Sequence, residues 1–132
     1  MIHIPRKLVD QVIEHSKREV PNEACGILAG RNKRVERVFE MTNVEKSPVS
    51  FFMDGKEQLK VMKEIRNLGL EMAGIYHSHP SSPAYPSVHD VELAFYAEIS
   101  YVIVSLLEDT NPLIRAFKII DGKITEEELK IE

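Results

Sequence analysis

Four residues in one stretch have the types and the spacing to hold a metal and use it: His77, His79, Ser87 and Asp90. They lie in Gly74-Ile-Tyr-His-Ser-His-Pro-Ser-Ser-Pro-Ala-Tyr-Pro-Ser-Val-His-Asp90. The apolar residues before His77 suit a buried strand. Side chains two apart on a strand share a face, so His77 and His79 point the same way. Pro80, Pro83 and Pro86 end the strand and stiffen a loop. From Ser87 the spacing turns helical, with Val88, Val91 and Phe95 at three- and four-residue intervals, which predicts a helix from Ser87 to about Ala97. Ser87 and Asp90 then share one helical face. Two imidazoles and one carboxylate are three zinc ligands. The fourth position, left open, is the one a catalytic zinc keeps for water.

Each piece also has a plainer reading. Two histidines in a strand often mark only a half-exposed polar face. Ser-x-x-Asp ahead of an apolar run is also a capping box, in which Ser87 closes the helix N-terminus and the dipole favours Asp90. The combination is far more specific than its parts: His-x-His-Pro, six residues, Ser, two residues, Asp.

That spacing resembles the JAMM metalloprotease motif of the MPN-positive domain, in its stand-alone prokaryotic or archaeal form. Two other stretches extend the resemblance. Pro21-Asn-Glu-Ala-Cys-Gly-Ile-Leu-Ala-Gly30 is similar to the family's upstream segment, where a Glu precedes a Cys-Gly strand. Asn43 followed by Phe51-Phe-Met-Asp54 is similar to its middle segment. The resemblance covers nearly the whole chain. It implies one zinc per chain, held by His77, His79 and Asp90.

Amide hydrolysis also needs a base that takes the water proton and gives it to the leaving amine. The residues alone leave Glu19, Glu23, Glu36, Glu40 and Glu71 open for that task. The resemblance selects Glu23, which alone precedes Cys25-Gly26. It also assigns Ser87 as the hydroxyl that stabilises the charged oxygen of the transition state. Ser87 is not read as a nucleophile, because zinc would occupy the two histidines that could act as its base. Of the other polar residues, His89 reads as exposed, about 100 degrees round the helix from Asp90. His3 and His15 read as surface or helix-face residues, and Ser78 as pointing to the opposite face of the strand. Cys25 reads as a small buried hydrophobe.

With 132 residues the chain has the length for one domain, residues 1–132, around a single core. At 43% hydrophobic and 29% charged, it has the composition of an ordinary soluble protein. The net charge of −4 and the scattered basic residues argue against a nucleic-acid or anionic-membrane partner. No apolar stretch approaches the roughly 20 residues of a membrane helix. The N-terminus has no apolar signal-peptide core. A single Cys cannot form an internal disulfide, which fits a reducing cytoplasm. Abundant Lys, Glu and Ile with only Gln11 and Gln58 point weakly to a thermophile.

The elements that must position these residues follow from the patterning. Residues 5 to 19 predict a helix with Leu8, Val9, Val12, Ile13 and Ser16 on one face. Residues 25–29 and 34–41 predict strands, and 50–53 a brief one. Asp54 caps a helix that ends at Gly69. Residues 71–77 predict the metal-bearing strand. Residues 101–107 predict a strand covered on both faces. A strand at 113–120 turns at Asp121-Gly122 into a solvated edge strand, residues 123–131, whose Glu126-Glu-Glu128 discourage edge pairing. The class is α/β, with helices flanking one sheet. The resemblance implies a curved mixed sheet sandwiched by helices, similar to the cytidine deaminase architecture.

The resemblance implies hydrolysis of isopeptide or peptide bonds at the C-terminus of ubiquitin-like proteins. The connections 43–52 and 81–85 would wall the groove, and both are short. A small ubiquitin-like modifier or a sulfur-carrier protein is therefore the expected substrate. Two alternatives stand beside this: a peptidase specialised for sulfur-carrier tails, and a non-catalytic MPN scaffold, which the intact ligand set disfavours. A zinc base deaminase is excluded by the missing His-x-Glu and Pro-Cys-x-x-Cys pieces. Oligomeric state is left open, a homodimer included.

Overall fold

The continuous apolar run at Tyr101 and the strands entering at Cys25 and Glu71 become the centre of one eight-stranded sheet. A computed structural model describes residues 1–108 and 110–132. The elements in chain order are β1 Ile2–Ile4, α1 Arg6–Arg18, β2 Cys25–Arg31, β3 Arg34–Met41, α2 Gly55–Asn67, β4 Glu71–His79, α3 Val88–Glu92, β5 Ser100–Ser105, β6 Leu113–Ile120, β7 Lys123–Glu127 and β8 Leu129–Ile131. Their order in the sheet is β7-β6-β5-β4-β2-β3-β1-β8. β4 and β5 run parallel, as do β1 with β3 and β1 with β8, and the other pairs are antiparallel. The sheet is thus mixed, with helices on both faces, as expected.

Strand alternation divides the core in two. On one face Leu28, Tyr76, Val102 and Val104 pack with Val9 and Val12 of α1. On the other, Ile27, Ile75 and Tyr101 pack with Val61 and Ile65 of α2. Every residue of β5 is buried, in keeping with a strand covered on both sides. Asp54 caps α2 by accepting from the Glu57 N–H at 3.2 Å, and Gly69 beyond the helix takes φ 72°. Asp121 and Gly122 both have positive φ, 50° and 79°, as a two-residue hairpin turn between right-twisted strands requires.

The structure corrects several expectations. The terminal strand at residues 123–131 breaks at Glu128. β7 pairs with β6, while β8 crosses to pair with β1, a three-residue strand too short to stand out in the sequence. The two ends of the sheet are therefore neighbours in the chain, and the sheet curls until it nearly closes. Curling turns Glu127 inward, where it accepts from Ser100 Oγ at 2.6 Å and lies 3.6 Å from Lys33 Nζ, so that carboxylate is not solvated. Residues 50–53 make only one isolated bridge, Met53 to Asn43. The third helix stops at Glu92 instead of about Ala97, and Phe95 beyond it is 73% exposed.

His15 is also not a surface residue. It is only 4% exposed on α1, and its Nδ1 lies 2.7 Å from the hydroxyl of Tyr76. Burial lowers its pKa, against the opposing pull of Glu40 and Glu19. Tyr76 reaches His15 by lying across Gly26, where any Cβ would collide with its ring. Gly26 is thus required by a close approach.

Candidate metal centre

β4 brings the first two candidate ligands. His77 and His79 project to the α2 face, and parallel β5 and antiparallel β2 flank the strand on either side. Ser78, between them, faces the other way and is fully buried. Its Oγ accepts from the Ala24 N–H at 2.8 Å, and its own N–H donates to the Ala24 carbonyl at 3.0 Å. This tie extends the β2–β4 pairing past Cys25 and His77 and sets Glu23 beside His79.

The third candidate ligand, Asp90, comes from the short helix after the proline-rich loop. The capping box is present: Ser87 Oγ accepts from the Asp90 N–H at 3.1 Å, and Asp90 Oδ2 accepts from the Ser87 N–H at 2.8 Å. The capping and metal readings thus describe one arrangement, since the cap aims the Asp90 carboxylate at the histidines.

Asp90 Oδ2 lies 3.1 Å from His77 Nε2 and 3.1 Å from His79 Nε2, and the two Nε2 atoms are 3.2 Å apart. A tetrahedral zinc with ligands at about 2.0–2.1 Å needs neighbouring donors about 3.3 Å apart. The three donors therefore fit three corners of that tetrahedron. His79 Nδ1–H donates to the Pro83 carbonyl at 2.8 Å, which leaves the Nε2 lone pair facing the other donors. Phe51 stacks on His77 with ring centroids 4.6 Å apart and fixes that ring's plane. His77, His79 and Asp90 are all buried and could hold a metal together.

The titrations suit that role. Burial lowers the His77 pKa, despite its bond to Asp90. Burial opposes charge on His79 as well, but bonds to Asp90 and the Pro83 carbonyl outweigh it and raise the pKa. Burial works against the Asp90 carboxylate too, yet bonds from both histidines hold it well below the usual range.

Glu23 is 2% exposed, and its Oε1 has no hydrogen-bond partner among the described residues. Burial pushes its carboxyl up to about 8, with His79 pulling down and Asp90 pushing further up. Its backbone is held at both ends: the N–H donates to the Ser47 carbonyl at 2.8 Å, and its carbonyl accepts from Asn43 Nδ2 at 3.0 Å.

His89, expected to be exposed, is half-buried. Cys25 is fully buried, and burial pushes its thiol up to about 12, consistent with an inert apolar filler. Phe51 and Asn43 were matched to the family's middle segment without a task. Their aromatic and amide types alone did not show that one would stack on a ligand and the other tie the loop to Glu23.

A nearly closed mixed sheet between helices, with two histidines on one strand and an aspartate on the next helix, is the arrangement of JAB/MPN-type domains. The chain belongs to the prokaryotic homologs of the JAB domain, whose family model matches residues 5–120. It is 40% identical over 126 residues to the CysO-cysteine peptidase of Mycobacterium tuberculosis, covering 94% of this chain and 86% of that one. It is 36% identical over 124 residues to a probable TtuB-protein conjugate cleaving protease of Thermus thermophilus, covering 93% and 79%. Among solved structures, protein DSY2949 of Desulfitobacterium hafniense superposes with a TM-score of 0.91 at 40% identity, covering 100% of this chain and 93% of that one. A JAB1/MPN domain protein of Archaeoglobus fulgidus shares the fold, with a TM-score of 0.67 at 23% identity and coverage of 100% and 97%.

Proposed function

We propose that this chain is a zinc-dependent peptidase that hydrolyses peptide or isopeptide bonds at the C-terminus of ubiquitin-like or sulfur-carrier proteins. The observation that carries this is the convergence of His77, His79 and Asp90 at 3.1–3.2 Å beside a buried carboxyl oxygen of Glu23 that has no partner among the described residues. The names of the relatives, a CysO-cysteine peptidase and a conjugate cleaving protease, support the substrate class.

Zinc held by His77, His79 and Asp90 would supply Lewis acidity and bring the pKa of water from ~15.7 towards ~7. Glu23 takes the proton of the attacking water and passes it to the leaving amine. The Glu23 Oε1 has no partner among the described residues, which leaves it available for both halves of that transfer. Ser87 donates to the carbonyl oxygen as it gains charge. Its Oγ already accepts from the Asp90 N–H, so cap and donor use different parts of one hydroxyl. Residues 1–132 act as one catalytic domain. No helix of the described residues is long and apolar enough to cross a membrane. The single Cys, buried and free, fits a reducing compartment, and we assign the site of action to the cytoplasm.

The test is a two-substrate comparison with zinc-loaded protein: a lysine-linked ubiquitin-like conjugate and a sulfur-carrier protein carrying one amino acid on its C-terminus. Chelator-sensitive release from either supports the reading, and the faster substrate names the class. Zinc-loaded protein that cleaves neither overturns it.

A further inference from the structure

The early end of α3 leaves a cavity of about 170 Å³ against the sheet, directly beside the ligand set. Its floor is Ile75, Tyr101 and Ile119, and its wall towards the metal centre is His77 and Asp90. The spacing of Val88, Val91 and Phe95 predicts a helix running on to about Ala97. Instead the backbone leaves the helix at Leu93, and Phe95 stands at the cavity rim, 73% exposed. The polar atoms of Tyr101 are already used, donating to the Tyr96 carbonyl at 3.1 Å and accepting from the Tyr96 N–H at 3.0 Å. Apart from Gln58 and the wall of His77 and Asp90, the lining therefore offers mainly apolar contact. An engineered apolar cavity of about 150 Å³ binds benzene, so this volume suits one aromatic ring or one branched aliphatic group.

We infer that this cavity is a specificity subsite that receives one large apolar side chain of the substrate, from a residue flanking the scissile amide. The inference rests on the peptidase reading, because the shared wall of His77 and Asp90 is what puts the cavity within reach of the bond being cut. Burying a side chain of leucine or phenylalanine size is worth about 1.5–3 kcal/mol, or roughly ten- to a hundredfold in affinity.

The experiment compares two hydroxamates on zinc-loaded protein by calorimetry: acetohydroxamate, which offers little beyond the chelating head, and phenylacetohydroxamate, in which a benzyl group replaces the methyl. The benzyl probe is expected to bind at least tenfold tighter. Ile119→Phe, which fills the floor, is expected to erase that advantage while zinc content stays at one per chain. Methyl NMR gives an independent readout in the unmutated protein: the benzyl ring should shift the Ile75, Ile103 and Ile119 methyls. Equal binding of both probes, or ring-current shifts elsewhere, would overturn the subsite alone. Failure of both probes to bind zinc-loaded protein would show that the metal has no open position, and would overturn the peptidase reading as well.

Discussion

Asn43 holds the backbone of Glu23: its Nδ2 donates to the Glu23 carbonyl at 3.0 Å. The same amide donates to the Ser50 carbonyl at 3.0 Å and accepts from the N–H groups of Glu45 and Phe52, each at 3.1 Å. Both donors and both acceptor positions of the side chain are in use. Asn43→Asp keeps the shape but turns an acceptor towards two carbonyls. It should destabilise the fold by ~2 kcal/mol or more, and it should lower kcat by displacing Glu23 and Phe51. Urea denaturation checks the first effect and steady-state kinetics the second.

Glu23 gives the metal-free protein a distinctive pH dependence. Its carboxyl titrates at about 8 in the folded chain against an ordinary 4.5, so the folded state binds that proton more tightly than the unfolded state. Its contribution is therefore neutral below ~4.5, becomes increasingly unfavourable from there to about 8, and levels off above. Glu23→Gln removes this titration. The variant should unfold at a higher temperature than the parent above pH 8, by an equivalent of ~2–4 kcal/mol, and the gap should close towards pH 4. Thermal melts of chelated protein across that range decide it.

Zinc affinity should weaken in acid because the ligands must shed protons to bind. His79 has a raised pKa, so competition by protons begins above pH 6.5 and grows as pH falls. Asp90→Asn removes the charge that both imidazoles face and should cost at least a hundredfold in zinc affinity. Competition with a chromophoric chelator at several pH values measures both effects.

On the face away from the metal, Gly26, Tyr76 and His15 form one packing unit. Gly26→Ala forces the Tyr76 ring aside and breaks its contact with His15, and should cost several kcal/mol. Adding Tyr76→Leu removes the clash, so the double variant should be more stable than the sum of the single changes allows. Chemical denaturation of the four proteins in the cycle tests this coupling.

Much of this arrangement was legible because it is local. His77 and His79 share a face by strand alternation. Ser87 and Asp90 share one by helical spacing. Asp121-Gly122 marks its own turn. What was hidden depends on residues far apart in sequence. His15 looks like an ordinary helix-face residue until Tyr76, 61 positions on, supplies its partner. Glu127 looks solvated until sheet closure brings Ser100 and Lys33 to it. The periodicity of Val88, Val91 and Phe95 misled for a related reason. The spacing fits a helix, but the chain must leave that helix to lead into buried Ile99 and β5.

The most direct test of the account is the rate of conjugate cleavage by Glu23→Gln protein shown to carry the same one zinc per chain as the parent. The account predicts a loss of at least a hundredfold with zinc content unchanged, because the metal centre remains and only the proton carrier is gone. A zinc-loaded Glu23→Gln protein that cleaves at the parental rate would contradict it.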